Sequence, residues 1–222
     1  MVLNKAGKPT GTPAKPRKGK SAHIDAKRGV KTWKEADDWL RARGIEDIEC
    51  ITPDLAGVPR GKMMPTSKFT SNTSLSLPSS VFKQTISGEY PAETGDFRYD
   101  PLDGDLKLMP DLSTLASVPW ETDPTAQVIC DIVDKNGNPV AYTPRSVLRH
   151  VLDLYEERGW RPVVAPEIEF YLVAQSEDPD LALKPPRGRS GRTIVGGQSY
   201  TIAGVNEFDE LVDDIYDFSE KQ

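Results

Sequence analysis

The sequence predicts an α+β fold, and three observations carry that reading: stripes of apolar residues at helical spacing, alternating apolar runs between them, and no repeating β-α-β pattern. The first helix opens at Thr32, where T-W-K-E forms a capping box and Trp33, Ala36, Trp39 and Leu40 line one side until Gly44. A strand through Ile48, Cys50 and Ile51 comes next. Asp54, Gly57 and Pro59 then make a turn, and Arg60, Gly61 and Lys62 lead into a second strand at Met63 and Met64. Residues 66–127 are rich in Ser, Thr, Pro and Gly, which predicts loops with short strands. Ala126 to Val133 reads as a strand, with K-N-G-N as the tight hairpin turn after it. These elements are expected to form one small domain over residues 25–139.

A second domain is expected over residues 140–222. Thr143 caps its first helix with Pro144 at the first position, and Val147, Leu148, Val151, Leu152 and Tyr155 share a side until Gly159. The run Val163 to Val173, V-V-A-P-E-I-E-F-Y-L-V, reads as a strand. Side chains alternate across a strand, so Glu167 and Glu169 share one face while Val164, Ile168, Phe170 and Leu172 share the other. Two readings of those acids stand side by side. Either they are surface glutamates on a half-solvated edge strand, or they are buried carboxylates compensated by a divalent cation, since hard cations take carboxylate oxygens.

Gln175 to Ser199 has no periodicity and reads as a mobile loop. Its Lys184, Arg187, Arg189 and Arg192 are either plainly solvated or a phosphate-contacting flap. A last helix is expected from Asn206, with Phe208, Leu211, Val212, Ile215 and Tyr216 on one side and a solvated acidic face of Glu207, Glu210, Asp213, Asp214 and Asp217 on the other.

Composition narrows the function classes. With 222 residues, 37% hydrophobic and 28% charged, the chain is large enough to bury a core. A net charge of −6 argues against a dedicated nucleic-acid binder, which needs a basic face. No apolar run reaches the roughly 18 residues of a membrane span, so a cytoplasmic protein is expected. Cys50 and Cys130 are the only cysteines, each in an alternating apolar segment, and read as free buried thiols. Residues 1–24 combine Lys5, Lys8, Lys15, Arg17, Lys18 and Lys20 with prolines and glycines and have no apolar stretch, the composition of a disordered basic tail.

Several segments, in order, resemble the glutamine synthetase family: P-D-L-A-G-V-P-R-G-K-M-M-P from Pro53, G-D-L-K-L-M-P-D-L-S-T from Gly104, V-I-C-D-I-V-D from Val128, T-P-R-S-V-L-R-H-V-L-D-L-Y-E-E-R-G from Thr143, and A-P-E-I-E-F-Y-L-V from Ala165. The resemblance implies a β-grasp-like amino-terminal domain followed by the start of a glutamine-synthetase-type catalytic domain, and an amino-terminal half that is inactive by itself. It implies a ligase that uses ATP and Mg2+ or Mn2+ to join the γ-carboxylate of glutamate to an amine through a γ-glutamyl phosphate, assembled as a homo-oligomer of stacked rings. By the same resemblance Glu167 and Glu169 are ligands of two separate metal ions. Asp54 then matches the aspartate that the small domain offers to a neighbouring subunit's site, whereas its local setting is that of a turn-forming aspartate.

The acceptor amine is read from two departures. The Gly-Gly-Tyr-Phe run of ammonia-using members reads Gly196, Gly197, Gln198, Ser199, Tyr200 here, and S-G-E-Y-P-A-E-T-G-D stands where Asp-Gly-Ser-Ser is expected. With R-G-K-M-M-P and V-N-E-F-D, the wording is most similar to the branch that ligates glutamate to putrescine or a similar polyamine; ammonia, or a non-catalytic relative, are the alternatives.

Overall fold

The computed structural model describes residues 28–71, 75–92, 102–176, 178, 180–193, 196 and 199–222; the basic tail therefore lies outside the described residues. Two compact units divide the chain, one over residues 24–163 with 221–222, the other centred on residues 164–220.

The first unit is built on a mixed sheet. Helix α1 (Trp33–Ala42) precedes β1 (Asp47–Pro53), β2 (Pro59–Pro65), α2 (Thr66–Thr70), β3 (Leu75–Pro78), β4 (Asp105–Pro110), β5 (Ala116–Ser117), β6 (Thr125–Val133) and α3 (Pro144–Glu156). The strand order is β2-β1-β6-β4-β3, with β1 and β6 parallel at the centre and the other pairs antiparallel. β1 alternates throughout, and β6 alternates from Ala126 onward. Ile48, Cys50 and Thr52 on β1 and Ala126, Val128, Cys130 and Ile132 on β6 point into the core, where Ala36, Trp39 and Leu40 of α1 cover them.

The capping box expected at α1 is formed. Glu35 donates its amide to the Thr32 hydroxyl at 3.2 Å, and its carboxylate accepts from the Thr32 amide at 3.3 Å. Gly61, inside R-G-K, is fixed by a close approach: a Cβ there would run into the Cys50 carbonyl on the paired strand.

One edge of β6 is shared. β5 pairs with Ala126 and Gln127, and β4 with residues 130–133. Between them a 3-10 turn over Leu112–Thr114 interrupts the ladder, and the Thr114 hydroxyl accepts the Ile129 amide at 2.8 Å in place of a strand carbonyl. That interruption leaves Asp111, which caps the turn by accepting from the Ser113 amide, beside the outward-facing Asp131 of β6.

Three expectations are corrected. The K-N-G-N turn forms around Asp134, which accepts from the amides of Asn136 and Asn138, but it returns only a single bridge, Val133 to Pro139, and no second strand. Asn206 is the last residue of a short helix, α4 (Ile202–Asn206), and the final helix α5 (Asp209–Ser219) starts after Phe208. Val163 to Val173 forms no strand. Val164 and Ile168 are each 85% exposed and Tyr171 95%, so neither face is a core face. An alternating sequence becomes a strand only when a neighbouring strand takes its amides and carbonyls, and among the described residues none pairs with this segment.

Candidate functional site

Glu167 and Glu169 sit in the 164–220 unit, exposed, and neither carboxylate makes a hydrogen bond or ion pair with the described residues. As hard oxygen donors both suit Mg2+ or Mn2+, whose octahedral demand exceeds what two carboxylates supply. No group of three or more His, Cys, Asp or Glu able to hold a metal occurs among the described residues.

Asp54 belongs to the other unit and has 0% exposure. Its Oδ1 accepts from the amides of Ala56 at 2.8 Å and Val58 at 2.9 Å, and its Oδ2 from Arg60 Nε at 2.8 Å. Those bonds close the β1–β2 turn, with Gly57 at φ 79° and Leu55 exposed at the tip. The geometry is that of a turn brace: each oxygen is engaged and water does not reach either.

Residues 175–199 are tied down where they are described. The Ala174 amide donates to the Lys184 carbonyl, the Ser190 amide to Glu207 Oε2 at 3.0 Å, and the Arg189 guanidinium meets Asp209 at 2.6 Å. The Ser190 bonds hold the Glu207 carboxyl below its ordinary range. Of the acceptor-reading run, Gly196, Ser199 and Tyr200 are described, while Gly197 and Gln198 lie outside the described residues, as does part of S-G-E-Y-P-A-E-T-G-D.

The two thiols are free and fully buried on neighbouring strands. The Cys50 side chain beside it, then burial, pushes the Cys130 thiol well above its ordinary range, so Cys130 offers no thiolate nucleophile.

A charge cluster that sequence reading did not assemble lies on the outer face of the sheet. Arg145 and Arg149, one turn apart on α3, each bridge Asp111 and Asp131. Arg145 reaches Asp131 Oδ1 at 2.8 Å and Asp111 Oδ2 at 2.7 Å; Arg149 reaches Asp131 Oδ2 at 2.8 Å and Asp111 Oδ2 at 3.1 Å. Burial draws the Asp111 carboxyl upward, but hydrogen bonds from Ser113 and Arg145 outweigh it and hold the group below the usual carboxylate range. The i, i+4 arginine spacing was the available signal; what it met was set by the break between β4 and β5.

Residues 141–222 match the family model described as glutamine synthetase, catalytic domain. The glutamate–isopropylamine ligase of Pseudomonas sp is 32% identical over 142 residues, 63% of this chain and 31% of that protein. The gamma-glutamylputrescine synthetase of Escherichia coli (strain K12) is 29% identical over 202 residues, 89% of this chain and 42% of that protein. The cryoEM structure of Plasmodium falciparum glutamine synthetase superposes on 60% of this chain and 24% of that one with a TM-score of 0.46 at 17% identity. Over residues 141–222 the chain is thus similar to the catalytic domain of glutamine synthetases. It spans less than half the length of the curated relatives it matches.

Proposed function

We propose that this chain is part of an ATP-dependent ligase that joins the γ-carboxylate of glutamate to an amine through a γ-glutamyl phosphate. The observation that carries the reading is the catalytic-domain match over residues 141–222, which contains both Glu167 and Glu169. In this reading the two glutamates each ligate one of two divalent cations in the complete protein; the cations neutralise the transferring phosphoryl group. Their exposure here and the exposed apolar residues beside them fit a layer supplied by the part of the catalytic domain that the relatives have and this chain does not cover.

The domain division at residues 139–140 and the β-grasp-like identity of the first unit are part of the same proposal. A hairpin, β1–β2, whose first strand runs parallel to the last strand of the sheet supports the latter. Assembly into stacked rings also belongs here.

For the acceptor we propose putrescine or a similar polyamine. Two relatives named for organic amines, one 32% and one 29% identical, support an amine larger than ammonia. The isopropylamine ligase favours a second reading, a short alkyl monoamine. The test is the ratio of kcat/KM for putrescine, isopropylamine and ammonia in the complete enzyme. Preference for either organic amine supports the proposal, and equal or better use of ammonia, corrected for protonation, assigns the chain to glutamine synthesis.

Asp54 as the acid lent to a neighbouring subunit requires its carboxylate to leave the turn it braces. Mixing an Asp54→Asn subunit with a Glu169→Gln subunit in the complete oligomer decides the matter. Recovered activity indicates a shared site, and none confines Asp54 to its own turn.

A further inference from the structure

Helix α3 meets the sheet in an unusual way. It has no buried residue, and the apolar stripe of Val147, Leu148, Val151, Leu152 and Tyr155 is exposed, although such a stripe normally faces the core. The side turned to the sheet instead carries Arg145 and Arg149, each bonded to both Asp111 and Asp131. At its start Thr143 is buried and donates to the Val140 carbonyl at 2.9 Å, which anchors one end only.

We infer that this cluster is an electrostatic latch: four charges, not apolar burial, hold α3 on the sheet and decide that its apolar stripe is presented outward. Three features make the latch directional. Arg149 grips Asp131 through two nitrogens, Nε at 3.1 Å and Nη2 at 2.8 Å, a fork that resists rotation of the helix. Asp111 is itself fixed by the Ser113 amide and hydroxyl. Asp131 is fixed by β6, whose alternation leaves it no other face. A lysine in either arginine position offers a point charge without the fork and cannot hold both acids in one geometry. The four residues all lie in the segments that carry the family resemblance, yet none is needed to explain the proposed chemistry.

The latch does not depend on which amine the enzyme uses, so it is testable on the 222-residue chain. The readout is amide hydrogen exchange of α3, a 13-residue helix too short to be stable undocked, against the amides of β1 and β6 as internal reference. Raising NaCl from about 0.05 to 1 M screens partly exposed charges and strengthens apolar contacts. The latch therefore predicts faster α3 exchange with salt while β1 and β6 hold; unchanged or slower exchange overturns it. Arg149→Gln is expected to speed α3 exchange about tenfold and Arg149→Lys to restore only part, whereas Leu148→Gln with Leu152→Gln leaves it unchanged. Equal acceleration by the leucine pair, or a full rescue by lysine, overturns the proposal, and loss of β6 protection in a variant leaves the salt series on the unaltered chain to decide.

Discussion

Asp54 shows how a residue's surroundings select among its chemistries. Its carboxylate is buried with three donors, so removing the charge strands the Arg60 guanidinium, whose Nη2 is already buried without a hydrogen-bond partner among the described residues. Asp54→Asn is expected to destabilise the chain by about 3 kcal/mol, at the low end for breaking a buried pair from one side. Asp37→Asn, which removes the exposed ion pair with Arg41, changes stability by less than about 0.5 kcal/mol. Urea unfolding midpoints at equal m check both; a cost for Asp54→Asn as small as for Asp37→Asn contradicts the brace. The buried thiols give a second test at this scale. With Cys130 pushed up and both side chains sealed in the core, a thiol reagent at pH 8 labels the native chain only as fast as it unfolds, and rapid native-state labelling would contradict that burial.

At the scale of elements, what the sequence made legible was local. The Thr32 capping box, the β1 and β6 alternation and the Pro144 helix start are set by neighbours within a few residues, and each formed where the pattern put it. The Val163–Val173 segment failed for the opposite reason, because pairing is a property of two strands and its own alternation says nothing about a partner. The same holds for Asp111 and Asp131, whose adjacency comes from the β4–β5 break and cannot be read from either segment alone. That cluster also fixes a pH dependence. A carboxyl whose folded pKa is depressed stabilises above its unfolded value, near 3.9, and loses that contribution as pH falls through the folded value. Protection of α3 is therefore expected to hold from neutrality to about pH 4 and to decline below it, ahead of β6; a decline already complete at pH 5 would contradict the assignment to Asp111.

For the whole molecule, the family match and the exposed surfaces point the same way. The 164–220 unit has an open apolar groove lined by Phe170, Leu172, Val205, Phe208, Leu211 and Val212, and the two glutamates lie on the same uncovered segment as Phe170 and Leu172. Glu167 and Glu169 were legible as candidate ligands only through the resemblance of A-P-E-I-E-F-Y-L-V; the E-x-E pattern by itself also fitted surface glutamates, and both are exposed. Further donors were not legible, and among the described residues no group of three or more His, Cys, Asp or Glu could hold a metal. The central claim is that Glu167 and Glu169 become cation ligands in the complete ligase. Its most direct measurement is Mn2+ binding, followed by electron paramagnetic resonance, to the complete protein and to its Glu167→Gln and Glu169→Gln variants, with the two sites titrated separately. Each substitution is predicted to weaken one site by at least about tenfold, near 1.4 kcal/mol, while leaving the other occupied; both variants binding two Mn2+ as tightly as the unaltered protein would contradict the account.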